Sequence, residues 1–584
     1  MTIFAGAFSF DPNTPLPYAL RTALRQHVTR SADAVAEVDQ PGVYLAKVDI
    51  GTFGTGGLHT DEAGNTTAVA GEPLLSDGEG DSAWNREKDM ALLHPLLAQG
   101  SHDGLRRARG TFCGVHFNAA RRECSIFVDK VGVRPVYMWV GPTFAVFASA
   151  LRVLEAVTQV PKEFDVRGVT EIVVFGYPMA DRTPYLGISM LMPGELVRFS
   201  AEGAARERYF RWDGPLVKPA SHEESVRRCY DEFMAAIKRR QRTEKIGAAF
   251  LSGGLDSRAI VGGLHAIGSD VYTVNYAPDG SQDQVFAALV AEKLGIHYTQ
   301  IQTTPETVAK GGHRKAEVAN WIAATFSAID TSAKPPVLWS GDGGSVALGH
   351  VYVKRKLVEL MAAGKTGEAV RMFNPGIATR VMGRGVRGSV ADIPGDSVQA
   401  ELDAIDCDDP GRKLHLFLMF NDQRRHLANH FEDLDIERIE FHLPFFDADY
   451  LETIMRLPSA PFLEHHFYMD WLAHFPNELN MVPWQAYPGH VPCTLPSPSG
   501  LKYQWDVYYD KAIYRQMEVT HAQRGRRILS DDAFPSHLLS RTALALAVVV
   551  TYSGLRDYSY LIKTASTYHH YWKTCSAHRA LAAP

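Results

Sequence analysis

Cysteine is scarce and scattered. The six in 584 residues stand at Cys113, Cys124, Cys229, Cys407, Cys493 and Cys575, with no CxxC pair. That pattern excludes a disulfide framework and a zinc site, and it fits a reducing cytoplasm. Long apolar runs are missing as well. The longest late one, ALALAVVV at 543–550, has roughly half the length of a membrane span, so it reads as a buried helix of a soluble protein. The first residues, MTIFAGAFSF, carry neither a basic segment nor a long apolar core, so no signal peptide is expected. Neither charge sign dominates: 60 Lys and Arg against 66 Asp and Glu leave a net charge of -6. A general nucleic-acid or membrane-surface binder is excluded on that balance. Repeats, low-complexity tracts and a GxxxxGKS/T phosphate loop are also absent.

What is present is ordinary globular material, 46% hydrophobic and 22% charged, long enough for two to four domains. Residues 1–210 read as strand-rich: GVYLAKVDI (42–50), CSIFVDK (124–130) and FAVFAS (144–149) are short apolar runs bounded by turns. The polar stretch DGPLVKPASHEES (213–225) reads as a linker. SVRRCYDEFMAAIKRR (225–240) has helical spacing. Strand, Gly-rich turn, helix, strand, helix and strand then follow in order. That alternation argues for a parallel sheet covered by helices. The division expected is 1–212 and 222–584. The Gly- and Arg-rich stretch 376–400 reads as a mobile loop, and helical patterns dominate from 411.

SGGLDS (252–257) follows the apolar run IGAAFL directly and opens a helical pattern. Gly253 and Gly254 allow close backbone approach to an anion, and a helix N-terminus favours phosphate. The hydroxyls of Ser252 and Ser257 add donors. Asp256 would repel an anion unless it holds a divalent cation. A nucleotide pyrophosphate with magnesium is the chemistry this suggests.

The loop resembles that of ATP pyrophosphatases, and its surroundings resemble the asparagine synthetase family. VYTVNYAPDGSQDQVFAALVAEKLGIHYTQI (271–301), WSGDGGSVALGH (339–350) and IEFHLPFFDADYLETIMRLP (439–458) look like successive segments of its synthetase domain. RGTFCGVHFNAARRECSIFVDKVGVRPVYMW (109–139), FASALRVLEA (147–156) and GISMLMPGELVRF (187–199) look like its glutaminase domain. The resemblance implies an α/β protein: an αββα glutaminase-like (Ntn-type) sandwich, then a doubly wound parallel-sheet ATP-pyrophosphatase domain with added helices. It implies ATP and Mg2+ as cofactors. The nucleotide would lie on Leu251, Ser252, Gly253, Gly254, Leu255, Asp256, Ser257, Asn275, Tyr276 and Gly341, with the metal on Asp256 and Asp342.

The sequence departs from that family at telling positions. Glutamine-dependent members carry a cysteine after the initiator methionine. Here that residue is Thr2, a much weaker nucleophile, so the first domain is expected to have lost glutamine cleavage. Cys113 is expected to be a buried core residue. Asp342 stands where asparagine synthetases have Glu, and Ser345 where a metal-binding Asp is usual. Asp342 is read as a magnesium ligand, a base for an attacking amine, or both. Lys502 in SGLKYQW is the candidate for the family's catalytic lysine. His442 reads as structural, and Cys493 with His490 do not make a metal site.

This pattern is similar to the amide-forming branch of the family, which adenylates a carboxylate and lets an amine of the same substrate close a ring. The expectation is macrolactam closure of a lasso-type precursor peptide in the cytoplasm, with a leader peptidase as partner and no nucleic acid or membrane partner. The alternatives are asparagine synthesis, a small-molecule cyclisation as in β-lactam synthetase, and a non-catalytic scaffold, which the retained Asp256 argues against.

Overall fold

A computed structural model describes residues 3–581 except 12, 55–56, 76–84, 220, 304–336, 434–435, 437, 487–490, 505 and 507–510. Thr2, His490 and the first two positions therefore lie outside the described residues.

The amino-terminal half stacks two six-stranded sheets, each antiparallel throughout. Strand Ile3–Ser9 lies inside the first sheet, between Val43–Val48 and Phe144–Ala148. All seven of its residues are buried, because the sheet is covered on both faces. Alternation sends Phe4 and Phe8 into the layer between the sheets, where they meet Val115, Ile126, Val197 and Phe199. Ile3, Ala5 and Ala7 point to the other face, where Leu20 and Leu24 of helix Tyr18–His27 cover them. The second sheet is covered by helices Arg86–Ala98 and Asp103–Arg107 through Met90, Leu93, Leu97 and Leu105. The layers are thus helix, sheet, sheet, helix. Cys113 and Cys124 are buried in the middle layer, and burial pushes both thiols far up.

Helix His222–Gln241, capped by Ser221, leads into the second half. Its sheet is fully parallel, in the order His297–Gln302, Asp270–Ala277, Ile246–Phe250, Val337–Trp339, Glu440–His442. From Ile246–Phe250 the chain winds first to one side and then to the other. The strand order therefore reverses beside this strand, and in such sheets a crevice opens outside the carboxyl ends of the strands at that point. Both Gly-rich segments lie there.

Ion pairs cross the seam between the halves. Arg134 donates to Glu440 at 2.5 Å, and both side chains are almost fully buried. Arg109 meets Asp449 at 2.6 Å and Arg242 meets Glu72 at 2.6 Å. Glu432 accepts from the backbone of Leu151 at 2.7 Å, which ties the C-terminal half to helix Leu151–Ala156.

Two expectations change. The stretch 376–400 is not an open loop: it forms a short turn, Thr379–Val381, and most of helix Arg387–Asp403, which runs through Pro394. Val390, Val398 and Leu402 fall on one buried face, and Ser397 links Arg167 to Glu171 on helix Val166–Phe175. Tertiary packing overrides the helix-breaking composition. ALALAVVV lies in helix Arg541–Ser553, but Leu546 and Val549 face outward, so that helix is only half-buried. Among the described residues, no helix is long and apolar enough to cross a membrane.

Candidate active site

The first loop leaves strand Ile246–Phe250 and turns into helix Leu255–Ala266. Its shape is maintained by its own side chains and by two buried neighbours. The backbone N–H of Ser252 donates to Ser257 Oγ at 2.9 Å, and the two serine hydroxyls are 2.9 Å apart. Gly253 donates to Asp283 Oδ1 at 2.8 Å. A side chain at Gly253 would collide with the backbone of residues 282–283, so glycine is required by close approach. Arg258 is fully buried and donates to the carbonyls of Gly253, Gly254, Leu479, Val482 and Pro483. One guanidinium thereby clamps the loop to the segment 479–483. Gly254 caps the helix with no side-chain acceptor, so the first turn keeps the anion-attracting character of a bare N-terminus.

Asp256 sits in the first turn of that helix. Oδ2 accepts from the N–H of Ser345 at 2.9 Å and from its hydroxyl at 2.5 Å; Oδ1 accepts from Tyr468 Oη at 2.8 Å. Burial pushes its carboxyl up to about 6, against the pull of these donors, and the charge of Asp342 adds to the rise. The second loop presses against it: a Cβ on Gly344 would lie 2.7 Å from the carboxyl of Asp256, and one on Gly341 2.8 Å from the N–H of Ser257. Asp342 Oδ2 accepts from Ser340 Oγ at 2.7 Å, and His430 Nδ1 stands 3.9 Å from the same oxygen.

The crevice therefore joins Ser252–Ser257, Gly341 and Asp342. Lys502 joins them through its backbone: its carbonyl accepts from Gln282 N–H at 2.9 Å, one residue before the Asp283 that holds Gly253. Its side chain is exposed. Tyr276 is half-buried, edge-on to Phe250. Asn275 needs a correction. It is 1% exposed and donates to the carbonyl of Leu251 at 2.9 Å and to Asp283 at 3.1 Å. Asn275 thus lies beneath the loop and shapes it, and Leu251, equally buried, does the same. His442 is buried against Trp339, with ring centroids 4.6 Å apart, and burial holds it far below the usual histidine range.

Sequence reading missed Arg258, Asp283, Tyr468 and His430, and it did not foresee that Ser345 donates to Asp256. Asp283 carried a faint signal, because it lies in an acidic turn just after the second parallel strand. Tyr468 carried none, since 212 residues separate it from Asp256.

The donor set suits magnesium beside a nucleotide. Two carboxylates stand on two loops, close enough to feel each other's charge, and no group of three or more possible ligands stands together among the described residues. Magnesium is characteristically held by one or two carboxylates together with substrate phosphates. Asp256 and Asp342 would hold it here.

Residues 78–210 match a family described as a glutamine amidotransferase domain, and residues 228–334 one described as asparagine synthase. A Mycobacterium bovis protein provisionally named a glutamine-hydrolysing asparagine synthetase is 24% identical over 341 residues, 54% of this chain and 50% of its own. Asparagine synthetase (glutamine-hydrolysing) 3 of Bacillus subtilis is 26% identical over 182 residues, 30% of this chain and 29% of its own. A similarly named Methanocaldococcus jannaschii protein is 28% identical over 166 residues, 27% of this chain and 31% of its own. The chain spans about half the length, or less, of the curated relatives it matches.

Proposed function

Because this chain belongs to the asparagine synthetase family, we infer that it is an ATP-dependent amide ligase that adenylates a substrate carboxylate, releases pyrophosphate and then AMP, and couples the acyl group to an amine of the same substrate. The observation that carries the first half is the Asp256 cluster at the switch point, facing the bare N-terminus of helix Leu255–Ala266. The second half rests on the ion pairs that cross the seam between the halves, Arg134–Glu440 and Arg242–Glu72.

The residues divide the work as follows. Ser252 to Ser257 cradle the phosphates, with Asp283 and Arg258 keeping the loop in shape. Asp256 and Asp342 would hold the metal, which would supply charge neutralisation at the phosphates and the leaving pyrophosphate. Asp342, with Ser340 and His430 beside it, takes the proton from the attacking amine. Lys502 stabilises the negative charge that develops on the adenylate carbonyl. Holding both ends of one molecule in register is worth about 7–11 kcal/mol in well-oriented cases.

The substrate we favour is a precursor core peptide closed into a macrolactam of the lasso type, with a leader peptidase as partner. The long helical portion after residue 350 supports it, being more chain than the phosphate loops require. The almost fully buried Arg134–Glu440 pair and the partly buried Arg242–Glu72 pair support an amine arriving with the substrate, because they lie in the seam that ammonia from the first domain would cross. Asparagine synthesis from aspartate is the second reading, favoured by the names of the relatives. Pyrophosphate exchange into ATP separates the two: exchange with a peptide carboxylate supports the first, and exchange with aspartate alone overturns it. Robust release of glutamate from glutamine would overturn the claim that the amine belongs to the substrate.

A further inference from the structure

The outer face of the second sheet carries a chain of buried polar side chains that the ligase chemistry does not use. His94 Nε2 lies 3.2 Å from Asp61 Oδ2. Thr67 Oγ1 lies 2.8 Å from His94 Nδ1 and 2.8 Å from His116 Nδ1. Thr67, His94 and His116 are respectively 0%, 4% and 3% exposed. Burial by itself would raise Asp61, but hydrogen bonds from Asn65 and His94 bring it down to about 2, so it is an ionised acceptor.

The chain stops at one ring nitrogen. Asp61 is ionised, so His94 donates to it from Nε2. Thr67 has a single proton to give and stands between the Nδ1 atoms of both rings. His116 Nε2 is the ring nitrogen left over: it is buried and has no hydrogen-bond partner. Burial keeps His116 low, at about 4, so its ring is neutral at neutral pH.

A cavity of about 360 Å³ lies beside this nitrogen, with His116 in its wall. His116 faces Thr67 across one strand pair and Ser125 across the other, and Ser125 faces Arg198 on the next strand. Nδ1 is engaged on the Thr67 side. Nε2 is therefore turned toward Ser125 and Arg198, which also line the cavity. Leu97, Leu196 and Asn118 supply buried floor, while Arg121, Arg198, Glu123 and Glu207 bring both charge signs to the rim. The mixed rim disfavours a polyanion. Among the described residues, no three possible metal ligands stand together there.

We propose that this cavity binds a free α-amino acid, whose ammonium donates to Glu123, whose carboxylate is held by Arg121 and Arg198, and which gives His116 Nε2 the polar partner it lacks. An unpartnered buried nitrogen asks for a hydrogen-bond partner, and the paired charge signs ask for a zwitterion. The cavity lies away from the phosphate loops, so the proposal stands or falls independently of the ligase reading.

Thermal unfolding of the full chain, measured with each of the common amino acids in turn, tests it, with sodium acetate and ammonium chloride as controls. One amino acid or a related set is expected to raise Tm saturably, by about 2 °C or more at roughly tenfold excess over Kd, while both controls leave it unchanged. Arg198→Ala alters an exposed side chain, so the fold persists, and it should abolish the shift. Thr67→Val breaks the relay and should weaken binding about tenfold, the effect of one lost hydrogen bond. The proposal is overturned if no amino acid shifts Tm, if acetate alone reproduces the shift, or if Arg198→Ala leaves it intact.

Discussion

Tyr468 donates its phenolic hydroxyl to Asp256 at 2.8 Å, across 212 positions of sequence. The contact joins helix His466–Leu472 to the first turn of the phosphate-loop helix. It favours the ionised form of the carboxylate on which the proposed adenylation depends, and it makes the distant helix part of the candidate site.

Removing that donor has a defined consequence. A hydrogen bond to the ionised form lowers a carboxyl pKa, so Tyr468→Phe should raise that of Asp256 beyond its present value of about 6. The acid limb of the pyrophosphate-exchange profile should move to higher pH, by about one unit for a bond worth about 1.5 kcal/mol. Exchange rates measured from pH 5 to 9 check this; an unmoved limb would refute it.

The same carboxyl ties stability to pH. Its folded value lies above the ordinary 3.8, so the folded state binds the extra proton between those values. The contribution of Asp256 to stability is therefore fully present below about 4 and is lost as pH rises through about 6. Asp256→Asn should abolish exchange at every pH. Its Tm relative to wild type should be better at pH 7.5 than at pH 5, because only at the higher pH does wild type hold a buried charge. Scanning calorimetry at the two pH values gives the comparison.

Gly344 tests the fit of the two loops. The methyl of Gly344→Ala would stand 2.7 Å from the Asp256 carboxyl, which Ser345 and Tyr468 already hold in place. Overpacking of this kind costs about 1–3 kcal/mol. Both Tm and exchange should fall, whereas Gly364→Ala, at an open turn, should spare exchange.

Lys502→Ala should behave in the opposite way. The side chain is exposed, so Tm should stay within about 0.5 kcal/mol of wild type. Amide formation should fall about 100-fold or more if the ammonium stabilises developing charge. Single-turnover product assays, set beside thermal melts, separate the two effects.

Glu440→Ala probes the seam. It leaves the buried guanidinium of Arg134 without its carboxylate, which typically costs about 3–5 kcal/mol. Tm should drop sharply, or the single melt should split into two, and calorimetry would distinguish these forms of the same loss.

Much of this was legible in the sequence because the signals are local. SGGLDS announces a strand-to-helix turn, since glycines, hydroxyls and an apolar run sit side by side. The buried character of strand Ile3–Ser9 follows from unbroken small and apolar residues, which suit a strand covered on both faces. The stretch 376–400 was misread for the converse reason. Its glycines and Pro394 speak locally against a helix, while the packing of Val390, Val398 and Leu402 that permits one is supplied by distant chain.

The sequence by itself determined where the candidate chemistry stands: the glycines of the first loop, Asp256 and Asp342. Only the tertiary structure decided what those residues do. It buried Asn275 beneath the loop, set Ser345 and Tyr468 on Asp256, clamped the loop with Arg258, and left His116 with an unpartnered nitrogen. The physical reason is that a side chain's charge and hydrogen-bonding state depend on burial and on partners brought from far along the chain, and no local pattern of residues encodes them.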